Sequence, residues 1–212
     1  MYKAGSFIFT NNTNNNFFSL SRWIRFFTGK IEGVDKILPQ IGKKEIELTH
    51  SMDTMGRKFN QREDQVFSAE PTMSIMPLRK YTENENTDYL IYEWIGVDDE
   101  TLAEVAYHLY DKYVVETYGV VQLFGYIYKR FMEVVFGIEN MIEKPNFFPN
   151  GNVCSELLGR SVKMVAENRF YFLTQYINRW NLNSAHPLDL YWLVKMFPEH
   201  FKLVERKGFD KL

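Results

Sequence analysis

Cys154 is the only cysteine of the chain, and it stands in "NGNVCSELLGR" (150–160), behind a loop-like Asn-Gly-Asn stretch and ahead of a helical pattern. Thiolate is the nucleophilic form of cysteine, and the free N–H groups and dipole of a helix N-terminus favour that charge. Nucleophilic catalysis also needs a general base, usually an imidazole, and a polar group to orient it. Four histidines are available: His50 in the strand-like "ELTHSM", His108 inside a helical pattern, His186 before Pro187, and His200 near the C-terminal end. His108 reads as a half-buried structural residue, and neither His186 nor His200 stands in a context that argues for chemistry. The residues alone also leave a second reading open. Lone cysteines are among the most often buried residues, and Cys154 would then be a small core hydrophobe. One cysteine and four scattered histidines lack the ligand spacing of a zinc site, so no metal or other cofactor is expected.

The elements that must position these residues follow from spacing. "SFIFT" predicts a first strand, "NNTNNN" (11–16) a loop, and "SLSRWIRFFTG" a short helix ended by Gly29. Residues 29–44 read as a long loop into the strand "EIELTHSM" that carries His50. "DQVFSAEPTMSIMPLRKY" reads as strand, turn and extended arm, with Val66, Ser68 and Glu70 on one face and Phe67 and Ala69 on the other. "TDYLIYEWI" is rich in β-formers. Asp98 and Asp99 suit an N-cap for a helix whose Leu102, Val105, Ala106, Leu109 and Tyr113 share a face. A helix over 118–137 follows and is broken by "NMIEKPNFFPNGN" (140–152). From Cys154, the residues Leu157, Leu158, Val162, Val165 and Ala166 form an apolar stripe that predicts a helix over 154–167. A polar-aromatic stretch and a last strand complete an α+β order whose strands cluster before position 96.

Composition narrows the function class. Hydrophobic residues are 45% of the 212, and aromatics are 17%, so the chain can bury a substantial core. Twenty-five basic against 27 acidic residues give a net charge of -2, which offers no electrostatic case for nucleic acid or anionic membrane. Residues 118–137 are the most apolar, yet Gln122, Lys129, Arg130 and Glu133 interrupt them, and a spanning helix needs about 20 predominantly apolar residues. No transmembrane segment is expected. "MYKAGSFIFTNN" has too short an apolar run for a signal peptide, and one cysteine fits a reducing compartment, so a cytoplasmic location is expected. The abundance of Asn, Lys, Tyr, Phe and Ile suits an AT-rich genome, bacterial or phage.

The order of the motifs resembles the circularly permuted papain-like branch of the NlpC superfamily, the YiiX-like cysteine hydrolases. "GSFIF" is similar to the opening strand of that family, "SRWIRFFTG" to the short helix before its histidine, and "THSM" to its Ser/Thr-His step. "VFSAEPTMSIMPLRKY", "VVETYGVVQLFGY" and "AHPLDLYWL" resemble later segments, and "NVCSELLGRSV" is the closest match. The resemblance spans roughly residues 4 to 195 and rests on motif order, each motif being short. This sequence departs from the pattern at Ser6, where the family has Asp, and at Ser68, where it has Glu before alanine. Residues 126–150 are also longer than the minimal pattern.

The resemblance implies one domain over 1–212, an antiparallel sheet or barrel packed against helices, with a helical insertion around 126–150. It implies Cys154 as nucleophile and His50 as base, with Glu70 or Ser68 orienting the imidazole. The function implied is cleavage of an amide bond through an acyl-enzyme. The substrate classes are a peptide, a peptidoglycan fragment or a lipid-like amide. Acyl transfer, thioester or lipid hydrolysis, and a catalytically silent binding module on the same fold are the alternatives.

Overall fold

The computed structural model describes residues 2–12, 50–56, 64–69, 73–114, 128, 132, 136, 154–167, 169–179 and 187–209. The short helix of "SLSRWIRFFTG", the 29–44 loop, Glu70, His186 and most of the 118–137 helix and the 126–150 insertion lie outside them.

The strand patterns become β1 (Phe7–Asn12), β2 (His50–Gly56), β3 (Gln65–Ala69) and β4 (Met73–Pro77). A one-turn helix α1 (Arg79–Thr82) then leads to β5 (Thr87–Trp94). Helices α2 (Asp99–Tyr113) and α3 (Cys154–Ala166) match the two amphipathic patterns closely. Beyond them, α4 (Tyr171–Ile177) and α5 (Pro187–Met196) occupy a region that the sequence pattern leaves unassigned, and β6 (Phe201–Lys207) is the last strand. The short α4 has no side-chain cap and exposes Tyr171 and Phe172, so its helical signal is faint.

Among the described residues six strands form one sheet of order β4-β3-β2-β1-β5-β6, with every neighbouring pair antiparallel. The chain is therefore α+β, an antiparallel sheet packed against helices. Side-chain alternation sorts the sheet into two buried faces. Phe7, Phe9, Leu90, Tyr92 and Trp94 join Leu158, Val162, Val165, Leu173, Ile177, Leu190 and Val194 in a core beneath α3, α4 and α5. On the opposite face Ile8, Met52, Val66, Tyr89 and Ile91 meet Leu78 and Tyr81. A carboxylate from the last strand closes that side: Tyr89 donates to Glu205 at 2.6 Å, and Tyr2 donates to the same group. Burial and the hydrogen bond to Glu205 push the Tyr89 phenol up to about 12.

The start of α2 shows why the sequence folds locally as it does. Asp98 is extended and accepts the Thr101 backbone N–H at 2.8 Å, filling one of the unpaired donors of the first turn. Its other oxygen accepts from the Thr101 hydroxyl and lies 3.2 Å from Arg169, which ties the start of α2 to the turn after α3. Those bonds hold the Asp98 carboxyl down to about 2. A carboxyl lowered by folding contributes stability above its unfolded value and loses it as pH falls. Thermal melts should therefore show a loss between about pH 4 and pH 2 that is smaller in Asp98→Asn, which caps without titrating. Asp98→Ala should lower the melting midpoint at neutral pH as well. An identical acid limb in wild type and Asp98→Asn would contradict this account.

Candidate active site around Cys154

Cys154 is the first residue of α3, and its free thiol is only 7% exposed. One side of α3 turns Leu158, Val162 and Val165 into the main core. Near its start, Cys154 and Leu157 turn instead into a separate cluster with Phe67 of β3 and Ala106, Leu109 and Tyr113 of α2. Phe67 packs edge-on against Tyr110 with ring centroids 5.5 Å apart, which fixes α2 over the same strand. Helix α3 lies across β2 as well as against α2. The helix of Cys154 thus rests on the strand of His50.

The other expected site residues are distributed as follows. The backbone of His50, in β2, pairs with that of Thr10. Ser68 is 1% exposed, and its hydroxyl lies 3.1 Å from that of Tyr81, on the face that carries Val66 and Met52. The expected alternation of β3 therefore holds for Val66, Phe67 and Ser68, and it is Phe67 that meets Cys154. Glu70 follows the end of β3 and lies outside the described residues. Ser6, the departure in the opening strand, is buried and donates its hydroxyl to the Lys3 carbonyl at 2.7 Å.

One buried charged group near Cys154 was not among the expected site residues. Glu156 is 2% exposed and accepts from Arg160 at 2.7 Å across one helical turn. The same guanidinium donates to the Tyr113 hydroxyl and sits 5.1 Å from that ring's centroid. The network ties α3 to α2 directly beside the Cys154 cluster. Burial works against the Arg160 charge, but Glu156 and Tyr113 more than offset it and hold the guanidinium pKa above its ordinary value. The signal was present in the sequence as a Glu and an Arg four apart inside an apolar stripe.

Among the described residues, no group of three or more His, Cys, Asp or Glu could hold a metal ion. No helix among them is long and apolar enough to cross a membrane. No family model matches the chain, and no curated protein matches it. A solved structure, that of the metalloprotein yiiX (DUF1105) from Escherichia coli O157:H7, is similar at 14% identity over 97% of each chain, with a TM-score of 0.48. Likeness of that degree says nothing of chemistry.

The Glu156 network makes a measurable claim. Arg160→Leu takes the guanidinium from a carboxylate that is otherwise shut away from water, and denaturant unfolding should show a loss of about 2 kcal/mol. The double variant Glu156→Leu/Arg160→Leu should recover part of it, because the buried charge is then gone. Equal stability of Arg160→Leu and wild type would remove the network from the forces that hold α3 to α2.

Proposed function

We propose that this chain is a cysteine-dependent hydrolase of amide bonds, with Cys154 as nucleophile and His50 as general base. The observation that carries the reading is the position of Cys154 in the first turn of α3, on a helix packed over the strand that carries His50. In this reading 1–212 is one permuted papain-like domain, and the 126–150 insertion shapes the approach of substrate. The substrate is a peptide, a peptidoglycan fragment or a lipid-like amide.

The steps are those of acyl transfer. His50 takes the thiol proton, and the Cys154 sulfur attacks the carbonyl carbon to form a tetrahedral oxyanion. The backbone N–H of Cys154, at a helix N-terminus, is suited to donate to that oxygen, and one such donor is worth about 3 kcal/mol in the transition state. Collapse expels the amine, which takes the proton from His50 and leaves an acyl-cysteine. Water, activated by the same imidazole, then releases the acid and restores the thiol. With an amine in place of water the same site is an acyltransferase. Glu70 or Ser68 is the orienting group in this reading, and the Ser68 hydroxyl also lies within hydrogen-bonding distance of Tyr81.

A second reading, a silent binding module, is favoured by a different observation. Cys154 is packed among Phe67, Ala106, Leu109, Tyr113 and Leu157 like a core residue. Alkylation separates the two readings. In the hydrolase, Cys154 reacts with iodoacetamide near neutral pH, and His50→Ala slows the reaction about tenfold or more while circular dichroism stays unchanged. An equal rate in folded wild type and folded His50→Ala removes His50 as the base. A Cys154 that reacts only on unfolding supports the binding module.

A further inference from the structure

On the face of the sheet away from Cys154, a chain of polar contacts ends on a thioether. The Ser68 hydroxyl lies 3.1 Å from the Tyr81 hydroxyl, and the Tyr81 hydroxyl lies 3.8 Å from Met76 Sδ. Lys80 Nζ approaches the same sulfur at 3.1 Å, from the helix that follows β4. The arrangement that uses all three contacts has Ser68 donating to Tyr81, Tyr81 donating to Met76, and Lys80 donating from the solvent side. Thioether sulfur is a weak acceptor, so these donors converge on an atom poorly matched to them. Met76 sits on β4, half-exposed, with the buried Tyr81 beneath it and the exposed Lys80 above.

We propose that Met76 is a site of sulfoxidation, at which the donors of Lys80 and Tyr81 accommodate the oxidised side chain. The oxidant is a peroxide. The Sδ lone pair attacks one oxygen of hydrogen peroxide, the O–O bond breaks as the S–O bond forms, sulfur gives up two electrons, and the proton on the transferred oxygen passes to the departing hydroxide, which leaves as water. The new sulfoxide oxygen is a strong acceptor placed between an ammonium and a phenol. Elsewhere in a core the same change introduces an unmatched polar group and loosens packing. Here the hydrogen bonds already formed to sulfur pass to oxygen, and Tyr81 keeps its contact with Ser68.

The test treats the full chain with dilute hydrogen peroxide, maps the oxygen gained at each methionine by mass spectrometry, and compares melting midpoints before and after. Met76 should be converted along with Met164 and Met196, which are also half-exposed. Lys80→Leu changes an exposed residue and should fold normally. Oxidation should lower its midpoint about 3 °C further than it lowers that of wild type. That difference should disappear when Met76→Leu is present in both. Met76 left unoxidised while Met164 and Met196 react would overturn the proposal, as would equal losses in wild type and Lys80→Leu.

Discussion

The organisation of the molecule depends on a strand that has no solvent side. Phe7, Ile8 and Phe9 of β1 are 1%, 0% and 0% exposed, so both faces of the central strand must be covered. Its neighbours β2 and β5 are held in register by that demand, since a slip of one residue would exchange the two faces. Phe7 and Phe9 bring α3, α4 and α5 onto one side, and Ile8 brings Leu78 and Tyr81 onto the other. The seat of Cys154 accompanies this arrangement: α3 puts Leu158, Val162 and Val165 into the core that holds Phe9, while Cys154 and Leu157 near its start join Phe67 of β3 and the buried face of α2.

A strong pattern was readable wherever one physical demand dominated. "TDYLIYEWI" reads as a near-continuous run of apolar β-formers because both faces of β5 are packed, and "ETLAEVAYHLYDKYV" shows a helical stripe because only one side of α2 is. The Asp98 cap was visible as residue type and position, and the structure supplies the Thr101 and Arg169 contacts that make it hold. Helices α4 and α5 were not legible for opposite reasons. In α4 only Leu173 and Ile177 are buried, too few to set a period. In α5 Pro187, Leu190, Tyr191, Leu193 and Val194 are buried on several sides, so apolar and polar positions do not separate cleanly.

Polar residues were harder to value than apolar ones. Ser68 and Glu156 are both almost fully buried, and each has a hydrogen-bond partner set by tertiary contact, Tyr81 in one case and Arg160 with its link to Tyr113 in the other. A sequence gives the presence of a hydroxyl or carboxylate, whereas its partner depends on which face the strand or helix turns inward. Alternation along β3 did sort Ser68 from Phe67 correctly. The contact with Tyr81 was not deducible, because it needs the hairpin of β3 and β4 to place α1 beneath the sheet.

For Cys154 itself, position and activation are separate matters. The buried apolar side chains clustered with it are Phe67, Ala106, Leu109, Leu157 and Tyr113, and the Tyr113 hydroxyl receives an N–H from Arg160. These neighbours hold the sulfur in place at the start of α3. Packing accounts for where the sulfur sits, and the general base of the proposed hydrolase is a separate requirement that this packing does not supply.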